Sequence, residues 1–194
     1  MFLMSSGKKI SEMLMPLTDR ETQTYLGVGL HTLGLLGWIL EQTGKANVYV
    51  STFSTSEAFL NGFHNLRYKK KLIDQAVLVA DLKASRKTVA LYRLMSTCFD
   101  HVFLSMNHSK VVLVWNEDHA VTVISSQNQT YGDRAECTMV TSDKQCFSEV
   151  MQGLQKLCDN GNQLDGLFSD LDKRDRTAGH LGDTFDNGIV PFGY

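Results

Sequence analysis

Hydrophobic and polar positions change along the chain between a strand-like and a helical period, and this alternation predicts an α/β protein. Strands are predicted at residues 48–53, 76–82 and 135–141, a hairpin at 111–124 and a short approach strand at 102–104. Helices are predicted at 18–43, 56–72, 88–100 and 142–158. Because a chain of 194 residues favours one domain, we predict a single α/β domain with a mixed β-sheet.

The first predicted helix is the least polar part of the chain. Thr18 and Glu21 form a capping-box pattern at its start, and Gly44 follows its end. Residues 22–40 carry no charged side chain, but four glycines and a histidine interrupt them, so the apolar part falls short of the roughly 20 residues that a bilayer requires. A buried core helix and no stable membrane association are expected. No secretory signal pattern opens the chain, so a cytoplasmic location is expected as well.

The two ends of the chain differ in composition from its centre. Residues 1–20 are rich in Met and broken by Pro16, and we expect them to be loosely ordered. Residues 159–194 hold six of the 15 glycines, many aspartates and few aliphatic residues, which is typical of a tail, a lid or a partner-binding arm. The folded domain is therefore placed at residues 21–158.

The predicted hairpin gathers chemically useful side chains at one end. If residues 116–118 form the turn, His108 lies opposite Ser126, Lys110 lies opposite Ile124, and Asn128 comes to the same end. A lysine supplies a point charge for anionic oxygen, and Ser and Asn donate neutral hydrogen bonds. Histidine acts as a nucleophile or a proton donor near neutral pH. This set of groups is suited to binding and attacking a phosphate.

The same residues resemble the signature of the phospholipase D superfamily. That signature is His-x-Lys, a hydrophobic strand, a small-Ser-x-Asn turn and a following Glu. It reads here as His108-x-Lys110, Ser125-Ser126-Gln127-Asn128 and Glu136. The resemblance is to the short members that carry one copy of the motif, which are nucleases and phosphodiesterases. It implies a mixed sheet flanked by helices on both faces.

Two positions depart from the signature. Trp115 stands where the motif usually has Asp, with Asp118 three residues further on, and Ser125 stands in place of the usual Gly. These departures support an alternative, a catalytically degenerate member that binds nucleic acid or assembles a complex. A third reading, a phospholipid-acting hydrolase or transferase, ranks lower because no amphipathic helix with a basic face is evident.

The mechanism that the resemblance implies needs two histidines, and the chain has one copy of the motif. None of the other histidines is followed two residues later by Lys; they are His31, His64, His101, His119 and His180. A symmetric homodimer with its active site at the two-fold axis is therefore expected.

In that dimer, His108 of one subunit would form a phosphohistidine and His108 of the other would protonate the leaving oxygen. Lys110 and Asn128, with a smaller contribution from Ser126, would hold the phosphate oxygens, and Glu136 would fix a histidine tautomer. No metal or other cofactor is expected, since lysine takes the role of a cation.

The distribution of charge along the chain indicates a class of substrate. The net charge is −2, but residues 67–93 hold eight Lys or Arg against two Asp, and the chain from residue 143 onward holds five basic and nine acidic side chains. A basic segment beside a phosphate site favours nucleic acid as the substrate. The alternative for Lys69–Lys71 is the solvated face of a helix. The four cysteines show no metal-binding spacing and are expected to be reduced thiols.

Overall fold

The structure, a computed structural model, describes residues 10–130 and 134–164, with the side chains of residues 84–89 left aside. Its centre is an eight-stranded mixed sheet in the order β1-β7-β6-β5-β2-β3-β4-β8. The strands are β1 Thr22–Gly27, β2 Ala46–Thr52, β3 Ile73–Asp81, β4 His101–Ser105, β5 Val111–Trp115, β6 Ala120–Ser125, β7 Glu136–Thr141 and β8 Asn162–Gln163. Strands β2, β3 and β4 are mutually parallel, and the other neighbours pair antiparallel.

Helices cover both faces of this sheet. They are α1 Thr32–Thr43, α2 Glu57–His64, α3 Ser85–Cys98 and α4 Lys144–Asp159. Val112 and Val114 of β5 belong to the main core with α1 and α2. Val111 and Leu113 point to the other face and pack with Leu154 of α4. The predicted single α/β domain with a mixed sheet and helices on both faces is confirmed.

The first helix was predicted to begin at Thr18, and this prediction is wrong. Residues 22–27 form strand β1, and the helix begins at Thr32. The Thr18 hydroxyl bonds to Asp19 and does not cap a helix. Strand β1 forms because it pairs along its whole length with β7, from Thr22 opposite Thr141 to Gly27 opposite Glu136. A partner more than 100 residues away is invisible to a local pattern.

Both ends of the described structure extend beyond the predicted domain. At the amino-terminal side, Ile10 and Leu14 are buried in the main core, although residues 1–20 were expected to be loosely ordered. At the other side, α4 ends at Asp159 and β8 pairs with β4 through Gln163 and Phe103. The predicted tail beyond residue 164 and residues 1–9 lie outside the described residues.

The hairpin is confirmed, but its predicted register is wrong by one residue. Val111 lies opposite Ile124 and Trp115 lies opposite Ala120, so the turn has four residues instead of three. Asn116 closes this longer turn, since its Oδ1 accepts from the backbone N–H groups of residues 118 and 119. As a consequence Ser125, not Ile124, lies beside Lys110, and the Ser125 N–H donates to the Lys110 carbonyl at 2.9 Å.

Helix α1, which begins within the uncharged residues 22–40, has 12 residues. In residues 10–130 and 134–164, no helix is long and apolar enough to cross a membrane.

A partly buried ion pair joins the chain after α2 to the end of α3. The guanidinium of Arg67 donates to the Cys98 carbonyl at 2.7 Å and to the Asp100 carboxylate. The same carboxylate accepts from the Ala76 N–H at 2.8 Å. Burial raises the pKa of Asp100, but the hydrogen bonds from Arg67 and Ala76 and the charge of Arg67 outweigh it, so this pKa lies below its usual value.

Asp100→Asn is expected to lower the free energy of unfolding at pH 7 by about 1–2 kcal/mol, because it weakens hydrogen bonds to a charged group. A carboxyl whose pKa is lowered by folding stabilises the fold above its unfolded pKa and loses that contribution as the pH falls. The difference from the wild type should therefore shrink below about pH 4. Urea denaturation of both proteins across pH 3–7 measures it. Asp74→Asn, at an exposed pair with Lys45, is the control and should cost less than about 0.5 kcal/mol. A pH-independent difference for Asp100→Asn would contradict this account.

Candidate active site

The candidate site lies at one end of the sheet, where β2, β3 and β4 finish side by side. We call it the site end; His108 lies there, in the loop between β4 and β5. Helices α1, α2 and α3 also begin there, since each follows a strand that ends at this side. The amino ends of helices carry partial positive charge, and ligands of α/β sheets bind beyond the carboxyl ends of the strands. The fold therefore favours an anion at this place.

A buried polar network fixes the chain on both sides of His108. Asp81, at the end of β3, is 4% exposed, and its carboxylate accepts from the Asn107 N–H at 2.9 Å. The Asn107 side chain, also 4% exposed, donates to Ser51 Oγ at 2.8 Å and accepts from the Ser109 N–H at 2.9 Å. His108 itself is exposed. The network therefore holds the backbone of an otherwise exposed residue.

Sequence reasoning missed Asp81 and Asn107. Their signal was present in part, since Asp81 is a carboxylate directly after the apolar run 76–80. The partners that make these residues important come from other strands and could not be read from the sequence.

His108 and Lys110 form one group, as predicted. The Lys110 ammonium lies 3.0 Å from His108 Nδ1 and donates to the His108 carbonyl at 2.6 Å. The imidazole packs against the ring of Phe53, with centroids 5.0 Å apart. Burial lowers the pKa of Lys110 and the charge of Glu136 raises it, and the net result lies below the usual value for lysine. A cation held beside an exposed imidazole can bind the oxygens of a phosphate that the imidazole attacks.

Ser126 and Glu136 form a hydrogen-bonded pair that is linked to Lys110 by the charge of Glu136. The Ser126 hydroxyl donates to the Glu136 carboxylate and accepts from the Cys137 N–H at 3.0 Å. Glu136 acts on Lys110 through its charge. The hydrogen bond that the structure gives Glu136 goes to Ser126, so the role of Glu136 in fixing a histidine tautomer stays a prediction.

Asn128 lies in a neighbouring pocket rather than in a described contact with His108 or Lys110. This pocket lies between the first turns of α1 and α2, and the buried Oδ1 of Asn128 has no hydrogen-bond partner among the described residues. Because of the observed register, Gln127 shares a narrow cleft with Lys110 instead. The Gln127 Oε1 accepts from the Thr32 N–H at 3.1 Å, so it caps α1, whose own N-cap residue, His31, makes no side-chain cap.

The two departures from the motif have structural roles, Trp115 at the end of the sheet opposite His108 and Ser125 in the loop beside Lys110. Trp115 lies at the opposite end of β5 and packs edge-on against Tyr49, with centroids 5.1 Å apart, and against Phe147 of α4. Asp118 is exposed in the turn at that same end. Ser125 accepts from the Gln127 N–H at 3.1 Å and bonds to Thr138 Oγ1, which shapes the loop after β6. In the part of the chain that the structure describes, no three His, Cys, Asp or Glu side chains are grouped as metal ligands.

Asn107→Leu is expected to lower the free energy of unfolding by about 2–4 kcal/mol, because it leaves buried partners of Asn107 without hydrogen bonds. Hydrogen exchange of the Ser109 amide should become much faster, since that amide donates to the Asn107 side chain. Asn116→Leu, which removes comparable bonds at the other end of the hairpin, should leave the exchange of Ser109 relative to global unfolding unchanged. Equal protection of Ser109 in both variants would contradict a positioning role for Asn107.

The sequence matches no protein-family model and no curated protein. Its structure, however, is similar to solved ones. Over 74% of this chain and 98% of the other, it matches Nuc from Salmonella typhimurium, described as a phospholipase D family member, at 16% identity and a TM-score of 0.53. It matches NucT from Helicobacter pylori at 13% identity and a TM-score of 0.53, over 73% of this chain and 98% of the other. Phosphatidylserine synthase of Haemophilus influenzae matches at 13% identity and a TM-score of 0.53, over 74% of this chain and 40% of the synthase. The chain thus has the fold of the phospholipase D superfamily, in agreement with the resemblance that the motif at His108 and Lys110 carries.

Proposed function

We propose that the chain is a metal-independent phosphodiesterase, a nuclease, that works through a phosphohistidine in a homodimer. The observation that carries the proposal is the ammonium of Lys110 at 3.0 Å from His108 Nδ1, at the exposed site end of the sheet. The fold adds support, since the phospholipase D superfamily includes proteins that cleave phosphodiesters. Two short proteins with this fold, whose chains the match covers almost completely, are named Nuc and NucT.

The proposed reaction has two steps. A ring nitrogen of His108 attacks phosphorus, the bond from phosphorus to the leaving oxygen breaks, and His108 of the second subunit gives its proton to that oxygen. Water then attacks the phosphohistidine, the phosphorus–nitrogen bond breaks, and the second histidine takes the proton of the water. Each histidine ends in the protonation state in which it began.

The charges around His108 fit the transition state of this reaction. Negative charge grows on the phosphate oxygens, and preorganised cations and dipoles stabilise it most where water is excluded. Lys110 and the amino ends of α1 and α2 supply positive charge at the site end. Ser126, held by Glu136, and Asn128, whose side-chain NH₂ would donate to a phosphate oxygen, complete the proposed set.

Nucleic acid is the proposed substrate, and the position of the basic segment gives this only partial support. Lys83 is exposed directly after β3, at the site end, and residues 86 and 87 lie in the first turn of α3 beside it. Lys69–Lys71 are exposed before β3 begins, at the opposite end of the sheet. Lys69–Lys71 therefore fit the alternative of a solvated helix face. Lys83 and the start of α3 lie where a polyanion bound at the site end would pass.

The purified protein should hydrolyse bis-p-nitrophenyl phosphate and single-stranded DNA in excess EDTA. His108→Asn should lower turnover at least 1,000-fold, on the order of the loss of other catalytic nucleophiles, with little change in melting temperature because His108 is exposed. His119→Asn, in the turn at the opposite end of the hairpin, is the matched control and should keep its activity. DNA binding without turnover, equally strong in the wild type and in His108→Asn, would instead favour a degenerate binding module.

The proposed homodimer has a surface to bury. Exposed apolar side chains lie near the site end on the β1 side of the sheet, namely Leu26, which is 77% exposed, with Val28 and Ile124. Exposed apolar surface of this kind marks interaction sites in soluble proteins. A second copy related by a two-fold axis at this end would cover it and would bring two His108 rings to one phosphate.

Heterodimers test this arrangement. A dimer of one wild-type and one His108→Asn subunit, isolated with two different tags, should be as inactive as the double mutant, because both histidines serve one site. Half of the wild-type activity would show that each subunit carries its own site and would contradict the proposal. Leu26→Glu should produce a monomer in sedimentation and abolish turnover, whereas Tyr68→Glu, an exposed position remote from the site end, should do neither.

A further inference from the structure

A small pocket adjoins the proposed phosphate site. It has a volume of about 100 Å³ and lies between the first turns of α1 and α2 and the loop after β6. Leu33, Ala58 and Phe59 supply apolar walls, and Asn128 and Gln129 supply polar groups. A closed cavity of about 150 Å³ binds one benzene ring, so this smaller pocket, which is open to solvent on one side, favours a single ring over a fused pair.

Two side-chain acceptors of the pocket make no hydrogen bond to the residues that the structure describes. Gln129 is 5% exposed, and its Oε1 makes no hydrogen bond to any described residue; the same holds for Asn128 Oδ1. The backbone of Gln129 is nevertheless fixed, since its N–H donates to the Ser54 carbonyl and its carbonyl accepts from Ser56 Oγ at 2.9 Å. Leaving a buried acceptor unpaired is costly. A ligand that donates hydrogen bonds to both carbonyl oxygens would remove that cost.

The charge around the pocket determines whether a cationic or a neutral hydrogen-bond donor is the better occupant. The pocket lies against the amino ends of α1 and α2, where the helix dipoles disfavour a cation. An ammonium headgroup is therefore a poor occupant, and a neutral amino group is a good one. Thr32, Gln127 and Gln129 line both this pocket and the cleft that contains Lys110. The pocket and the cleft with Lys110 are thus separated by shared side chains only.

We infer that the pocket binds the base of a nucleotide adjoining the scissile phosphate and selects cytosine. This inference rests on the proposed function. Cytosine is a single ring, and its neutral amino group donates two hydrogen bonds, one for each unpaired carbonyl oxygen. Thymine and uracil present a carbonyl oxygen at the same place, which would face the oxygens of Asn128 and Gln129. Adenine and guanine have two rings, which fit a pocket of this size less well.

Chromogenic diesters with one base each provide the test. The p-nitrophenyl esters of dCMP and TMP, in the 5′ and the 3′ series, are compared by kcat/KM with the full-length protein, with bis-p-nitrophenyl phosphate as the base-free reference. In one of the two series, the cytosine ester should be preferred on the order of tenfold, as expected for hydrogen bonds to a base edge. The two esters should react equally in the other series.

Two variants and one control connect that preference to the pocket. Gln129→Leu removes one acceptor, and Ala58→Leu fills the pocket from an exposed position of α2, so each should bring the ratio of the two esters close to one. Gln75→Leu, at an exposed position before the buried part of β3, should keep the ratio of the wild type. If Gln129→Leu does not fold, Ala58→Leu alone still tests the pocket.

The outcomes separate this inference from the proposed function. Equal rates for both esters in both series, with turnover intact, would overturn the base pocket and leave the phosphodiesterase standing. If no diester is cleaved, the proposed function fails, and titration calorimetry with dCMP and TMP decides about the pocket. Tighter binding of dCMP that Gln129→Leu abolishes would support it, and equal binding would overturn it. Tighter binding of O-phosphoethanolamine than of dCMP would also overturn it, in favour of a lipid headgroup.

Discussion

The buried carboxylate of Asp81 is the contact on which the arrangement of the candidate site depends. It lies at the end of β3, in the middle of the parallel strands, and it accepts backbone N–H groups from Lys83 and Asn107. Through the side chain of Asn107 the same contact reaches Ser51 at the end of β2 and Ser109 before β5. Because a buried charge is tolerated only with such partners, three strand ends are held in one geometry. His108 is exposed, yet both of its neighbours in the chain are fixed.

The charges at this end of the sheet favour the binding of an anion. Helices α1, α2 and α3 begin at the same end of the sheet, because each follows a strand that runs toward it. Lys110 adds a full charge beside His108, and Glu136 offsets part of the cost of burying it. A group of this kind attracts an anion and places it next to an imidazole. The fold therefore favours phosphate at this place as much as the motif does.

The sequence predicted most of what is local. The alternation of strands and helices, the hairpin and the grouping of His108 with Lys110 depend on residues close in the chain, and all three are confirmed. The predictions that were wrong depended on distant partners or on one side chain. Strand β1 forms because β7 pairs with it, and the register of the hairpin follows from the bonds of Asn116.

The role of Trp115 also depends on partners that the sequence does not show. Trp115 stands where the motif has Asp, and this departure supports the alternative of a catalytically degenerate member. In the structure Trp115 packs with Tyr49 and Phe147 beneath α4, at the end of β5 remote from His108. Its contacts are those of a core residue, and a core contact between β5 and α4 cannot be read from spacing. The candidate site thus loses no group that contacts His108 or Lys110.

The central claim is that His108 is the nucleophile, and isolation of the covalent intermediate tests it most directly. The protein is mixed with a phosphorus-32-labelled diester, quenched in base within milliseconds, digested and mapped by mass spectrometry. The account predicts a phosphoramidate on His108, stable in base and labile in acid, that forms and decays at rates compatible with turnover. Turnover with no labelled protein, or a label on another residue, would contradict it.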